Sequence, residues 1–590
     1  MRYTCSVAFL LSYLTCMIVA AEKTPKYEYH GMRKFLTRPD IEVPTWKVSV
    51  YDEAKVAPGH WFVAPYEVNG NKKPGGSWIG PHIFDSTGEL VWSGSHMFKR
   101  INVMDFGVMD VGGEDLLSLS YAVEGRGYIL DKQYKVKQTV VEGMTGKTYN
   151  MHDFHTVENG SHFLYLQRNI THASAQLAKQ DLGYDGECSV TFPGFEERDV
   201  KTGEVLFKWD ATGKIPLSDS TLTHGPVENR CTGGAWDYLH SNAIDKLPDG
   251  HYLLSTRHSD TIYKISADDG SILWRLHGLG GDRSDFAMGD LKFSRQHDVR
   301  FREHNVTHLI ISFLDNATGA DPQPATHEWS RGLLIAVSER DMTAAVIASY
   351  DHPQHGKSYR RGSYQPLPNG NVFMGWSEQA LHSEHTPDGK IVMEAVLTEH
   401  KLGTYRSFKF PFTADPQYPP DIYANASTFA SITQTSVYAS WNGATEVASW
   451  RLSKTDKKGE KSLPLTIMPR SGFETLITYD GYAKYVVVEA LDINGRSLHT
   501  SDVAKTVASK NLDPDAVAEE QQWLHPESSS ASAGSSLRGF GVFTGGLFCG
   551  VALLWGALFW KRRRERRRPR YERVAGEEED ETKMDELSHR

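Results

Sequence analysis

Short runs of apolar and aromatic residues alternate with polar positions through most of this chain, and Gly or Asp interrupts them every few residues. A period of two with frequent turn residues predicts β-strands. One unit recurs: a Gly-containing turn, a strand, a short turn, a second strand, then a polar turn and a third strand. The clearest copy runs from Asp249-Gly250-His251-Tyr252-Leu253-Leu254 through Thr261-Ile262-Tyr263-Lys264-Ile265 to Asp269-Gly270-Ser271-Ile272-Leu273-Trp274. Others begin at Pro58-Gly59 and Asn369-Gly370, with weaker ones near Gly112-Gly113, Asn159-Gly160 and Asn305, which makes six. Repeats of about 45 to 65 residues that break into short strands predict the blades of a β-propeller. A stack of helical repeats is excluded by the period-two alternation. The expected fold class is therefore all-β, with a six-bladed β-propeller over residues 22–408.

The texture changes near 410. Phe410-Pro411-Phe412 and the prolines from 416 to 420 mark a boundary. A Trp-bearing segment (Trp441, Trp450) and the Tyr485-led strand ending at Asn494-Gly495 then predict a fibronectin type III-like β-sandwich over 409–507. Residues 508–538 turn acidic and Ser-rich, which predicts a flexible stalk. At the start, Arg2, the apolar Val7 to Val19 and the small Ala20 and Ala21 predict a signal peptide over 1–21. Gly539 to Trp560 is uncharged and apolar, and a basic block from Lys561 to Arg568 follows it. Such a run crosses about 30 Å of hydrocarbon. The basic flank places the tail, 561–590, in the cytosol. The expectation is a single-pass type I membrane protein held by one helix. Its ectodomain would be extracellular or lumenal, at the plasma membrane or in an endomembrane or vacuole.

Composition adds little against this picture. A formal net charge of −10 over 590 residues offers nothing to nucleic acid. Cys5 and Cys16 fall in the signal peptide and Cys549 in the apolar run, leaving Cys188 and Cys231 to form one disulfide in an oxidising compartment. That bridge would staple an insertion at about 168–230, where the repeat spacing lengthens. Acceptor sequons at Asn159, Asn169, Asn305, Asn316 and Asn425 suit a glycoprotein.

In a propeller the innermost strand of each blade lines the central channel. The segments in that place are Met151-His152, Leu239-His240, Gln296-His297 and Gly362-Ser363. Histidines in register on consecutive blades converge on one spot. They are open to three readings: hydrogen-bonded structural groups, a zinc site with one His per blade, or catalytic groups. His152 and His155, three apart on a strand, face opposite ways and do not chelate together. The reading adopted has no metal and no cofactor.

The segments Trp236-Asp237-Tyr238-Leu239-His240-Ser241-Asn242, Ser255-Thr256-Arg257-His258, Gln296-His297-Asp298 and Phe313-Leu314-Asp315-Asn316 resemble the arylsulfotransferase (ASST) family, and most closely its eukaryotic, largely fungal branch. The resemblance spans roughly 50–405. It implies a six-bladed propeller that moves a sulfuryl group between phenols through a sulfated histidine, without PAPS. It also implies that His240 and His297 bind sulfonate and act as acid and base. The implied nucleophile is His382, with His385 competing for the role. Expected substrate-binding residues are His152, Arg257, His258, Arg331 and Arg361. The last two stand in for a family arginine that Thr318 to Ala325 lacks. The expected partner is a phenolic or sulfated small molecule. A receptor without catalysis, binding a small molecule, a glycan or a protein, is the competing reading.

Overall fold

The computed structural model describes residues 28–29, 31–68, 76–121, 123–140, 148–223, 225–304, 307–319 and 325–524. The predicted signal peptide, apolar span and cytoplasmic tail lie outside these residues. Among the described residues no helix is long and apolar enough to cross a membrane.

The structure is all-β. Four antiparallel four-stranded meanders follow one another, starting with the strands Met104–Asp110, Tyr149–Val157, Ser241–Lys246 and His297–His304. A fifth sheet starts with Ser363–Pro366 and gains Trp46–Val50 as an outer strand. The sixth is built from both ends of the series, with Leu402–Phe410 pairing His60–Glu67, then His82–Phe84 and Leu90–Ser93. Each first strand touches the first strands of the sheets before and after it, so the six close a ring. A separate apolar cluster fills each gap between neighbouring sheets. Both faces of most sheets are therefore buried, as the uninterrupted Trp61-Phe62-Val63-Ala64 and Leu309 to Leu314 show.

The first strands carry the centre of the ring. Five of the six have a bulge or register shift, between Met104 and Gly107, Tyr149 and Phe154, Ser241 and Ala243, His297 and Arg300, and Thr404 and Ser407. A bulge re-aims a side chain. Here the bulges turn Asp105, Asp153, Asp298 and Arg406 towards one another. Arg406 Nη1 donates to Asp105 at 2.7 Å and to Asp153 at 2.8 Å, while Arg300 makes a two-pronged contact with Asp153 at 2.6 and 2.8 Å. Asp298 accepts from the backbone N–H of Tyr364. The third sheet joins through the carbonyl groups of Asn242 and Ile244. All six sheets thus meet in one buried ionic network.

Two further sheets follow. One orders the strands Glu474–Asp480, Ile432–Ser440, Asp421–Phe429 and Val507–Ala508, and the other Ser462–Pro469, Ser449–Thr455, Tyr485–Leu491 and Ser497–Thr500. A shared core containing Val437, Trp450, Leu452, Ile477 and Val488 lies between them. This unit holds the ring through the turn after Ser440. Asn442 accepts from Ser93 N–H at 2.8 Å and donates to Ser93 O at 3.1 Å, and Gly443 N–H reaches Val91 O at 2.7 Å. Gly443 sits at φ +100°, where a Cβ would lie 2.3 Å from the Tyr134 ring, so the position demands glycine. Asn442→Ala leaves both Ser93 backbone groups unpaired in a buried seam. It is expected to cost about 1–3 kcal/mol and to raise amide exchange at Val91 and Gly443, measured by hydrogen–deuterium exchange.

Two expectations change. The predicted stalk, 508–538, is not uniformly flexible, because Pro514–Leu524 is a helix. Buried Glu520 pins it, accepting from Lys454 at 3.1 Å and from Lys484 N–H at 3.2 Å. The ring also extends past 408, since its last strand ends at Phe410 and Phe412 packs in its core.

Candidate functional site

Three residues just ahead of first strands have left-handed backbone: His240 at φ 51°, Arg295 at φ 56° and Arg361 at φ 62°. Bulky side chains rarely adopt this region, and such outliers gather at functional sites. They precede the third, fourth and fifth sheets and lie at the end of the ring where the first strands begin.

Around His240 the rings close up. His152 stands 4.7 Å from it edge-on, and His258 stands 4.7 Å away on the other side. His240 Nδ1 donates to Asp237 Oδ2 at 2.5 Å, and its backbone N–H reaches Asp237 Oδ1 at 3.1 Å. A carboxylate at Nδ1 fixes the tautomer and makes Nε2 the basic atom. His152 Nδ1 is held in the same way by Asn150 Oδ1, at 2.5 Å, and Tyr405 Oη donates to the His152 carbonyl. His258 Nδ1 donates to the Asp237 carbonyl at 2.8 Å, and Nε2 accepts from Arg257 Nη1 at 2.8 Å. Burial pushes the His258 pKa well below 6.5, with His240, Arg257 and Arg295 adding to the effect, so it stays neutral.

The disulfide-stapled insertion supplies part of this site. Cys188 and Cys231 are bonded as expected. Their bridge ties the short helix Val227–Thr232 to the strand Cys188–Asp199, and Trp236 continues against Ser189 and Thr191. Asp237 follows directly. From the same insertion, Thr221 N–H and Oγ1 both donate to the His258 carbonyl.

Asp237, His240 and His258 place ligand atoms within 4.8 Å of one another, close enough to surround a cation. The donors argue otherwise. His258 already has a hydrogen-bond partner at each ring nitrogen, one of them a guanidinium. A cluster flanked by Arg257 and Arg295 suits an anion better.

The other sequence-derived residues fall in varied places. His297 is buried with Nδ1 2.7 Å from Asn316 Oδ1 and 2.9 Å from Arg295 O, while Nε2 accepts from Arg361 N–H at 3.1 Å. It therefore ties the fourth sheet to the fifth. The Arg361 guanidinium lies over the Tyr66 ring. Arg331 is committed elsewhere, to buried Asp315 at 3.2 Å and to Lys292 O.

His382 does not join the cluster. It sits on the third strand of the fifth sheet, boxed by Trp46, Trp61 and Phe373 at ring distances of 4.4 to 4.8 Å. Neither ring nitrogen has a hydrogen-bond partner among the described residues. Burial, aided by Lys409, pushes its pKa well below 6.5. His385 is likewise buried, against Ser383, Gly389 and Tyr350. The strand alternation that spaced these two residues carries both into the packing between sheets.

Asn316 is a further correction. Its amide donates to Ser358 O at 2.7 Å and Arg361 O at 3.0 Å from a buried position, so no glycan fits there. Asn159 and Asn169 are exposed, Asn425 is half-buried, and Asn305 lies outside the described residues. The residues missed from sequence are Asp237, Asn150 and Arg295. Asp237 and Arg295 stand three and two positions before the histidines they support.

Residues 127–398 match the family model "Arylsulfotransferase (ASST)". Over this span the chain resembles the arylsulfotransferase family. The matched span contains His152, Asp237, His240, Arg257, His258 and Arg295. No curated protein sequence is significantly similar to this chain. Among solved structures, a protein of unknown function from Bacteroides caccae shares 13% identity, with 60% of this chain and 99% of that one covered at a TM-score of 0.35. TolB from Acinetobacter baumannii shares 13%, with 59% and 67% covered at 0.32. Virginiamycin B lyase from Staphylococcus aureus, a catalytically inactive variant with quinupristin, shares 10%, with 66% and 92% covered at 0.26. Likenesses this slight bear on neither activity nor substrate.

Proposed function

We propose that this chain is a membrane-anchored glycoprotein of the secretory pathway whose ring of six sheets is a six-bladed propeller, joined to a fibronectin type III-like sandwich. On this reading the propeller transfers a sulfuryl group between phenolic compounds. The observation that carries the chemistry is the Asp237–His240–His152 chain beside Arg257 and Arg295.

In the first step His240 Nε2 attacks the sulfur of an aryl sulfate. The bond from sulfur to the phenol oxygen breaks, and the leaving phenolate takes a proton from His152. In the second step the oxygen of an acceptor phenol displaces His240 from sulfur, and its proton returns to His152. Arg257 and Arg295 hold the sulfonate oxygens, whose charge changes little while the S–O bond exchanges. Asp237 keeps His240 in the reactive tautomer. This gives the nucleophilic role to His240, because His382 is enclosed by aromatic rings.

The test is incubation of the full chain with p-nitrophenyl sulfate and a phenol acceptor. Nitrophenol release is expected, with sulfate appearing on the acceptor. His240→Ala and Asp237→Asn are each expected to lower turnover by about 10²–10⁴-fold, while His382→Leu leaves the folded enzyme's rate unchanged. Labelled sulfate should appear on the protein when the acceptor is omitted. Release undiminished in His240→Ala would overturn the assignment.

The second reading, a propeller that binds a sulfated ligand without turnover, is favoured by one feature. Neither His382 nor His385 of the fifth sheet reaches the cluster. No release, together with saturable binding of p-nitrophenyl sulfate that is lost in Arg257→Ala, would establish that reading instead.

A further inference from the structure

The two-sheet unit has two unlike ends. One holds the ring through Asn442 and Gly443. The other carries the hairpin between Asp421–Phe429 and Ile432–Ser440, turned through Ala430 and Ser431 at φ 48° and 65°. Phe429 is 77% exposed and Ile432 is 61% exposed, directly opposite one another in the ladder. Two large apolar side chains held out together at a turn are not explained by packing.

The same end gathers the chain's exit. Asn511 donates to Thr428 O at 2.7 Å, and Asp513 N–H reaches Thr428 Oγ1 at 2.8 Å. The helix Pro514–Leu524 then begins, one residue beyond that contact. Trp523 near its end lies under Lys454 and Lys461, at 4.5 and 4.8 Å. The turn between Ser449–Thr455 and Ser462–Pro469 belongs to this end too, and there Asp456 turns inward to accept the N–H groups of Lys458 and Glu460. The Lys457 and Lys458 side chains are left exposed.

From Leu524 the apolar run at Gly539 is only 14 residues away. Fourteen residues fully extended span at most about 50 Å. Whatever membrane holds the apolar run therefore lies within that reach of the end that carries Phe429 and Ile432. Aromatic and aliphatic tips with lysines at the same end of a unit are the combination that enters a lipid headgroup layer, the rings reaching the acyl boundary and the ammonium groups meeting phosphates.

We propose that this end of the sandwich rests on the bilayer that anchors the chain, with Phe429 and Ile432 entering the headgroup layer and Lys457 and Lys458 contacting lipid phosphate. The anchor and the hairpin tip form two points of attachment. Together they hold the ring clear of the membrane, at the far end of the sandwich. The inference rests on the anchoring reading given above.

The test uses the full chain, in a Cys549→Ser background, reconstituted into phosphatidylcholine–phosphatidylserine vesicles. An environment-sensitive fluorophore is placed at Phe429→Cys and, in a second protein, at Ile493→Cys. Ile493 is 85% exposed, on the turn at the ring-facing end, and serves as the control. Emission at 429 is expected to shift to the blue and to be quenched by spin-labelled lipid, with neither change at 493. A chain that floats with the vesicles but reports the same wet environment at both positions would overturn the proposal and leave anchoring intact. A chain that fails to float would overturn the anchoring reading, and this proposal with it.

Discussion

Asp153→Ala is expected to destabilise the ring strongly. The Asp153 carboxylate is fully buried and accepts from Arg300, Arg406 and the backbone N–H of Ile244. Burial alone would raise its pKa, but the two guanidinium groups overcome that and hold it well below the usual carboxylate range. Asp105 responds in the opposite direction. It is pushed up, because burial and the Asp153 charge outweigh Arg406. Removing Asp153 takes the shared carboxylate from two buried cations that tie six sheets together, leaving Arg300 only Asp298 at 3.3 Å and Arg406 only Asp105 and Asp298. Breaking a buried pair by deleting one partner costs about 3–5 kcal/mol, a large share of the roughly 5–15 kcal/mol that holds a typical domain. Urea denaturation checks this, and Asp153→Asn, which keeps the shape and an acceptor oxygen, should lose less. Equal stability of Asp153→Ala and the parent would show that the network contributes nothing net.

Acid is expected to unfold the protein between about pH 6.5 and pH 4. His82, His277, His352 and His385 are all buried, and burial is the first cause that lowers each pKa to about 4. The unfolded chain binds protons at these sites near the ordinary value of 6.5, whereas the folded chain binds them only near 4. The unfolded state thus holds more protons within that window, so stability is fully present above about pH 6.5 and is lost as pH falls. Each group contributes about 3 kcal/mol across the window. Asp315 opposes them, since burial raises its pKa to about 6 and favours the folded state as pH falls. Asp105, Asp219, Asp260 and Asp421, also raised by burial, act in the same sense, while His258 and His382, held well below 6.5, add to the loss. The midpoint of thermal unfolding, followed from pH 7.5 to pH 4, should fall steeply below about pH 6. His82→Leu should flatten part of the decline. A midpoint that held steady to pH 4.5 would show that these rings protonate without opening the fold.

Much of the architecture was legible in the chain. A blade-sized unit announces itself through Gly-Gly, Asn-Gly and Asp-Gly turns at 112–113, 159–160, 249–250 and 369–370, because tight turns demand particular backbone angles whatever surrounds them. The insertion was visible as a lengthened spacing, and its disulfide followed from there being two cysteines left to pair. Local signals placed His152, His240 and His297 together at the first strands; the structure sets the rings of His152 and His240 4.7 Å apart, whereas His297 is held by Asn316 and Arg361.

What failed was whatever depended on the direction of a side chain. His382 and His240 look alike in sequence, yet one is sealed between Trp46 and Trp61 and the other is braced by Asp237. Asn316 satisfies the sequon pattern, but its amide is already shared between Ser358 and Arg361. The helix Pro514–Leu524 looked like linker because its one buried acid, Glu520, finds its lysine only in the folded two-sheet unit.

The amino-acid sequence by itself determined the strand-and-turn repeat, the disulfide pair and the family likeness over 127–398, since each rests on local spacing or on residue identity. Only the tertiary structure decided which histidines meet, that Arg406 and Asp153 close the centre, and that the sixth sheet joins His60–Glu67 to Leu402–Phe410. These are pairings across tens to hundreds of residues. They are set by burial and charge compensation in the assembled ring, and no local pattern along the chain encodes them.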